Sequence, residues 1–197
     1  MRIMSLIAFL MLFTTGAQAS GYYVGITRGQ SEFESDVSVS KPSSIDNKSS
    51  AGYIFFGREF DNNAAVEGFY ANLGKINMFA KKGSTVSSGS DKIMFSEDAS
   101  LSSSATSFGI AGKYYFNVHE GVRISAKLGM HSWKSKLNVS DNVEKRRFEN
   151  DGVNAMAGLG VEYAVTDKIG LMAGIDNFAI DEENTTITHV GLKFSFD

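Results

Sequence analysis

Residues 152–163 read GVNAMAGLGVEY, and this stretch decides the fold. Its odd-numbered positions carry Val, Ala, Ala, Leu, Val and Tyr, whereas its even-numbered positions after the first glycine carry Asn, Met, Gly, Gly and Glu. Apolar residues at every second position are typical of a β-strand whose two faces meet different surroundings. The stretch therefore predicts a strand with one apolar face and one face of small and polar residues.

The same alternation recurs along the rest of the 197-residue chain. The predicted strands are residues 21–31, 50–60, 64–75, 105–116, 121–134, 152–164, 168–179 and 186–196. Three connections, at residues 61–63, 117–120 and 165–168, are short and carry hairpin turn residues. They alternate with long polar connections at residues 32–49, 76–104 and 135–151, while the fourth, near residues 179–185, is short. This order predicts an all-β fold, an eight-stranded antiparallel up-and-down transmembrane barrel.

The composition excludes several classes of protein. With Cys 0, the chain has no disulfide framework, thiolate metal site or thiol nucleophile. A formal net charge of -3 gives no basic footprint for nucleic acid. Beyond the N-terminus, the sequence has no run of about 18 apolar residues of the kind that predicts a membrane-spanning helix.

The N-terminus has the three parts of an export signal. Arg2 is basic, residues 3–13 are apolar, and Ala17-Gln18-Ala19 is a small-x-small cleavage site. We expect residues 1–19 to be a cleaved signal peptide and residues 20–197 to form the barrel domain. The alternative is an uncleaved anchor, for which the apolar stretch is short.

The direction in which each face points separates a membrane barrel from a soluble one. Alternation alone fits both, since a lipocalin-like barrel also has one apolar face. Here the less apolar face combines Gly, Ala and Ser with Lys, Arg and Glu, which suits the narrow lumen of eight strands. The other face is apolar with aromatic residues near the strand ends, which suits lipid. A soluble periplasmic ligand-binding barrel remains the alternative.

Six short segments carry a further signal. They are GYYVG at 21–25, VEGFY at 66–70, GKYYF at 112–116, AKLG at 126–129, GLGVEY at 158–163 and VGLKFSF at 190–196. Together they resemble the small OmpA-like and OmpX-like outer-membrane barrels. The resemblance implies a monomer in the bacterial outer membrane, without a cofactor, in contact with outer-membrane lipids and lipopolysaccharide. It also implies that the barrel-assembly machinery recognises the last strand, although Asp197 follows the final aromatic residue.

The predicted lumen carries a network of charged residues. Alternation places Lys113, Arg123, Lys127 and Glu162 on the less apolar faces, and the resemblance to OmpA-like barrels implies Glu67 as a further member. In the barrels that the chain resembles, interior carboxylates pair with interior bases and close the lumen, but the basic residue of the seventh strand is replaced here by Met172. Because an unpaired buried charge costs several kcal/mol, we expect these groups to pair. A narrow ion-conducting pore is the alternative.

The long connections are the predicted site of a specific function, since loops on a rigid scaffold commonly carry binding residues. The basic residues Lys81 and Lys82 lie in the second connection, and Lys145, Arg146 and Arg147 lie in the third. Such clusters can meet lipopolysaccharide phosphates or polyanions of a host-surface receptor. The alternative is a solvated loop of mixed charge.

One pair of residues, His131 and Ser132, suggests comparison with lipid-modifying outer-membrane enzymes. Adjacent strand residues point to opposite faces, so His131 is poorly placed to activate Ser132. The His-x-Ser spacing of those enzymes is absent because residue 133 is Trp. Three separated histidines predict no metal site. We therefore expect a non-enzymatic barrel that contributes to envelope integrity and to surface adhesion or host interaction.

Overall fold

The computed structural model describes residues 19–33, 37–39, 44–46, 48–88, 91–94, 97–140, 145–180 and 183–196. These residues form strands, turns and bends only. The strands are β1 (Ala19–Phe33), β2 (Val37–Val39), β3 (Ser44–Asp46), β4 (Lys48–Phe60), β5 (Ala64–Ala80), β6 (Thr85–Ser88), β7 (Asp91–Met94), β8 (Ala99–His119), β9 (Val122–Ser140), β10 (Lys145–Ala164), β11 (Ile169–Ile180) and β12 (Glu183–Phe196). The described residues include no helix of the length and apolar character that crossing a membrane requires. The predicted signal peptide lies outside them except for Ala19, which begins β1.

Eight long strands close into a barrel. Their order is β5-β4-β1-β12-β11-β10-β9-β8, and β8 pairs back with β5. Every one of these pairings is antiparallel. Closure gives each strand a partner on both sides within the barrel wall, which is what allows a sheet to cross a membrane. The predicted fold class, an eight-stranded antiparallel up-and-down barrel, is confirmed.

Four neighbouring strands are longer than the sequence predicted. β5 continues to Ala80, β8 begins at Ala99, β9 continues to Ser140 and β10 begins at Lys145. Much of what was predicted as loop at 76–104 and 135–151 is therefore strand, and those boundaries were wrong. The reason is physical, because outside the apolar region both faces of a strand meet water and the alternation disappears while backbone pairing continues.

The extra length forms a sheet on one side of the barrel. We call residues 75–80, 99–106, 134–140 and 145–153 the projecting sheet; it lies at the end opposite the short turns. β3 extends it by pairing with β5. The strands β2, β6 and β7 form a separate small sheet.

The two faces of the barrel wall have opposite character. On the exterior, Leu128 is 70% exposed and Leu159 is 66% exposed, whereas Glu67 is 2% exposed and Lys113 is 7% exposed in the lumen. A soluble barrel would show the reverse arrangement. The exterior is therefore an apolar surface for lipid.

Glycines make room for large side chains in the narrow lumen. A Cβ on Gly57 would overlap the ring of Tyr23, and a Cβ on Gly158 would overlap the carboxylate of Asp176. Both side chains are buried. The glycines of the less apolar strand faces thus have a packing role.

A β-bulge in β5 sets which residues of the projecting sheet face outward. The register with β8 shifts between Asn72 and Gly74, and Gly74 has a φ of 98°. The side-chain oxygen of Asn72 accepts a hydrogen bond of 2.9 Å from the Gly74 amide. Before the bulge the odd-numbered residue Leu73 is buried, whereas after it the even-numbered residue Ala80 is buried and Lys75 is exposed. The extra residue thus directs Lys75 to solvent.

We predict that Gly74→Ala lowers the free energy of unfolding by about 2 kcal/mol, because a positive φ strains an L-residue and the new Cβ crowds its neighbours. That Cβ would lie 2.5 Å from Ser31 Oγ and 2.9 Å from Ser49 Cβ. Urea unfolding in lipid vesicles measures the change. Gly68→Ala is the matched control, since its Cβ would meet nothing closer than 4.0 Å. Equal stability of the two variants would contradict the role of the bulge.

Candidate functional site

An ionic cluster lies in the lumen near the short turns. Arg123 binds Glu59 through both terminal nitrogens, and its Nη2 also lies 2.7 Å from Glu162 Oε1. Lys193 Nζ lies 2.5 Å from the same Glu162 oxygen and 3.5 Å from Glu59 Oε2. Two carboxylates thus face two cations.

Aromatic rings form the floor of this cluster. The guanidinium carbon of Arg123 lies 4.0 Å from the centre of the Tyr115 ring. Lys193 Nζ lies 4.9 Å from the ring centre of Tyr23 and 5.3 Å from that of Tyr115. Cation–π contacts of this kind stabilise charges that have left water.

A second ion pair joins Glu67 to Lys113. Lys113 Nζ lies 3.1 Å from Glu67 Oε1, and the Tyr23 hydroxyl donates to the same oxygen at 3.0 Å. The side chains of Lys113 and Glu67 are only 5% and 3% exposed. The hydroxyl and the ammonium together compensate the buried carboxylate.

A third cluster surrounds Asp176 on β11. Its Oδ2 accepts hydrogen bonds from Lys127 Nζ at 2.9 Å and from the Tyr53 hydroxyl at 2.7 Å. His189 Nε2 lies 3.1 Å from the same oxygen. Tyr53 also contacts Lys127, whose Nζ donates to its hydroxyl at 3.2 Å. Four strands, β4, β9, β11 and β12, are joined through this one carboxylate.

Beyond these clusters, toward the projecting sheet, the lumen contains mainly apolar side chains, with the buried polar residues His131, Ser107 and Thr185 among them. The buried side chains of this layer belong to one hydrophobic cluster, with members Phe69, Leu73, Met156, Phe178 and Ile187. The rings of Phe69 and Phe178 pack edge to face, with centroids 5.9 Å apart. The lumen thus contains paired charges toward the short turns and packed, mainly apolar side chains toward the projecting sheet, an arrangement suited to a closed barrel.

The structure places all five predicted network residues in the lumen. It brings Arg123 together with Glu162 and Glu67 together with Lys113, but it separates Lys127 into the third cluster. Sequence reasoning missed three members, Glu59, Lys193 and Asp176. Asp176 could have been predicted as a lumen residue, because it has the same parity on β11 as Met172, which was assigned to the lumen. Lys193 could also have been predicted, because it lies on the less apolar face of β12.

His131 has a partner that the sequence did not suggest. Its Nδ1 lies 2.8 Å from Ser107 Oγ, and both residues are buried inside the barrel. Ser132 is half-buried, and strand geometry places it on the opposite face from His131. The described residues contain no group of three or more metal-ligating side chains placed to hold an ion.

The basic residues that were predicted in loops lie in two settings. Lys81 and Lys82 are exposed just after β5, where the Lys82 amide donates to Asp98 Oδ1 at 2.8 Å. Lys145, Arg146 and Arg147 lie on β10 and not in a loop, in register with β9. Arg147 is exposed, 2.5 Å from Glu149, whereas the side chains of Lys145 and Arg146 lie outside the described residues.

Three further lysines share the outward face of the projecting sheet. Lys75 of β5 pairs with Ser104 of β8, and Ser104 pairs with Lys136 of β9, so these residues form one row across the sheet. Glu149 of β10 pairs with Lys136 and continues the row. Lys134 lies in the next row toward the barrel, between Thr106 and Asp151. All three lysines are exposed. The sequence did not predict that these lysines share a face, because they lie at the ends of predicted strands or in a predicted loop.

The sequence matches the outer membrane protein beta-barrel domain family over residues 5–196. The chain belongs to this family. Membership indicates the bacterial outer membrane as the location, with the short turns facing the periplasm and the projecting sheet facing the exterior. The search of curated proteins gave no match.

Solved structures with the same fold include several outer-membrane barrels. The Yersinia pestis attachment invasion locus protein Ail, in complex with the heparin analogue sucrose octasulfate, has a TM-score of 0.56 at 14% identity, covering 89% of this chain and 99% of Ail. Neisserial surface protein A has a TM-score of 0.53 at 16% identity, covering 91% and 99%. OprG from Pseudomonas aeruginosa has a TM-score of 0.50 at 12% identity, covering 91% and 98%. These likenesses concern the fold.

We predict that Asp176→Asn lowers the free energy of unfolding of this outer-membrane barrel by about 3 kcal/mol, because it leaves the Lys127 charge uncompensated. Adding Lys127→Met removes that charge and is expected to recover at least about half of the loss. The single tryptophan, Trp133, is buried and reports urea unfolding by fluorescence.

The control is Glu149→Gln, which removes a carboxylate from an exposed ion pair and is expected to change stability by less than about 0.5 kcal/mol. Strictly additive effects of the two lumen substitutions would show that Asp176 and Lys127 are not coupled.

Proposed function

We propose that the protein is a non-enzymatic surface adhesin of the bacterial outer membrane, in which the barrel is the anchor and the projecting sheet binds polyanions. The observation that carries the proposal is the row of Lys75, Ser104 and Lys136 across three strands. These positions lie on a paired, extended framework, so the two ammonium groups are presented from a rigid surface.

The spacing of the row suits sulfate or phosphate groups. Neighbouring strands lie about 4.8 Å apart, so Lys75 and Lys136 are anchored about 10 Å apart on either side of Ser104. Lys134 adds a third cation one row nearer the membrane. The intervening outward positions on the central strands carry small hydrogen-bonding side chains, namely Asn77, Ser102, Ser104, Thr106 and Asn138. Ammonium and hydroxyl groups together are suitable donors to such anions.

Two further observations support this role over transport or catalysis. The lumen is occupied by paired charges and apolar side chains, which favours an anchor that contributes to envelope integrity. The similar barrel Ail was crystallised with a heparin analogue, which supports a sulfated sugar as one ligand class. Lys81 and Lys82 are exposed immediately after β5 and are two further cations at the outer end of the chain's projecting part.

The same anion chemistry has two sources, lipopolysaccharide phosphates in the protein's own membrane and sulfated glycans on a host surface. Lys134 lies in the row nearest the apolar exterior of the barrel, so it is closer to the lipid phosphates than Lys75 and Lys136 are. Lys75 and Lys136 are the better placed for a ligand approaching from outside. Binding to the two sources is therefore expected to depend on different lysines.

We predict that the triple variant Lys75→Gln, Lys134→Gln and Lys136→Gln binds heparin about 100-fold more weakly at low salt, since each lysine near an anionic surface contributes about 1 kcal/mol. Binding to the protein in phospholipid vesicles is measured by biolayer interferometry at several salt concentrations. The loss is expected to shrink as salt screens the contacts.

Single substitutions give the matched comparison. Lys136→Gln is expected to weaken heparin binding, whereas Lys168→Gln, an exposed change at the periplasmic turn, is expected to leave it unchanged. If only Lys134→Gln has an effect, and only on lipopolysaccharide vesicles, the ligand is the membrane's own lipid. Unchanged binding in the triple variant would contradict the proposal.

A further inference from the structure

The two edges of the projecting sheet differ. On the β5 edge, residues 77–79 pair with β3. On the other edge, β10 pairs with β11 only from Met156 to Ala164, and β11 itself ends at Ile180. Within the described part of the chain, no strand pairs with that side of residues 145–153. Such an edge presents a row of backbone N–H and C=O groups to solvent and is a template for a further strand.

This edge is accessible from both faces. Residues 147–151 are all exposed, which shows that neither face of the strand is covered there. Phe148 is 53% exposed at the centre of the segment. A large apolar side chain beside an unpaired backbone is a surface that gains from burial.

The charges along this edge change sign at Phe148. Lys145, Arg146 and Arg147 precede it, and Glu149, Asn150 and Asp151 follow it. Arg147 and Glu149 share one face of β10, where they lie 2.5 Å apart. The segment is thus basic toward its outer end and acidic toward the membrane.

A segment with this charge order is complementary to a second copy that runs in the opposite direction, because the basic half of each copy then faces the acidic half of the other. Antiparallel pairing of two β10 strands about Phe148 sets Arg147 opposite Glu149 of the second copy, and two-fold symmetry forms that pair twice. The same register sets position 145 opposite position 151, again basic against acidic. It also brings the two Phe148 residues together at the axis.

Neighbouring registers are less favourable. Centring on Arg147 still forms two Lys145–Glu149 pairs, and centring on Glu149 still forms two Arg147–Asp151 pairs, but each places one like-charge pair on the axis. The register centred on Phe148 forms four opposite-charge pairs and no like-charge pair. Because like charges directly opposite each other destabilise an antiparallel pair, the charges favour the register centred on Phe148.

We propose that the open β10 edge is a self-recognition surface, to which a second copy of this chain adds antiparallel, centred on Phe148. β10 runs from the exterior toward the periplasmic turns, and every copy in one membrane has that direction. An antiparallel partner therefore comes from an apposed membrane. The surface joins like barrels on two facing membranes, and it does not depend on polyanion binding by Lys75, Lys134 and Lys136.

The charge register is tested by complementary variants in proteoliposomes, with aggregation followed by light scattering. Vesicles carrying the natural chain are expected to aggregate. Vesicles carrying Arg147→Glu alone, or Glu149→Arg alone, are expected to aggregate at least 10-fold more slowly. A mixture of the two is expected to recover, because each charge of one variant then faces its opposite on the other.

The position of the pairing is tested with cysteine, which the natural chain lacks. Phe148→Cys is expected to form a disulfide-linked dimer on mild oxidation, since residues at the axis of an antiparallel pair have Cβ atoms about 5 Å apart. Lys136→Cys, exposed on the fully paired strand β9, is the control and is expected to stay monomeric.

Recovery in the mixed vesicles together with selective cross-linking at position 148 supports the proposal. Vesicles of the natural chain that stay dispersed, or a mixture that fails to recover, would overturn it and leave the edge to a strand of another protein. Heparin binding by the reduced Phe148→Cys variant separates this result from the proposed adhesin function, because position 148 lies on the opposite face of the sheet from Lys136.

Discussion

The constraint on which the structure depends is that a charge inside an eight-stranded barrel must find a partner there. The lumen is wide enough only for side chains, so water does not replace a missing counter-charge. Four carboxylates and four cations meet this demand, namely Glu59, Glu67, Glu162 and Asp176 with Lys113, Arg123, Lys127 and Lys193. Tyrosine rings and hydroxyls complete their surroundings. With the charged groups paired inside, the outer face is left to apolar side chains and lipid.

This arrangement separates anchoring from recognition. The ion pairs and the apolar layer fill the middle of the lumen, and a cavity of about 730 Å³ lies between the ionic cluster and the short turns. The neighbouring strands β5, β8, β9 and β10 continue beyond it and carry the exposed charges. The bulge at Gly74 contributes directly, since it turns Lys75 to the outward face beside Lys136. The features available to partners are therefore one strand edge of this sheet and one charged face, on which Lys75, Lys134 and Lys136 share the surface with Glu149 and Asp151.

The barrel architecture could be predicted from sequence because period-two alternation and turn chemistry are local signals. The same rule identified Lys113 as a lumen residue, and the resemblance to OmpA-like barrels added Glu67. The rule would also have identified Asp176 if the parity of β11 had been followed past Met172. It failed where the environment stops alternating, so that Lys145, Arg146 and Arg147 were taken as loop although they continue β10. It also had no means to detect the bulge at Gly74, which reverses the parity of β5. An open strand edge cannot be predicted from the hydropathy pattern, because whether an edge is open depends on where pairing with the neighbouring strand stops.

Single-channel recording in planar bilayers tests most directly whether the lumen is closed by compensated charges and an apolar layer. The purified barrel, reconstituted in salt solution at both polarities, is predicted to give no discrete conductance steps. Steps of defined size that change in the Glu67→Gln variant would show a conducting lumen and contradict the account of the barrel as a filled anchor.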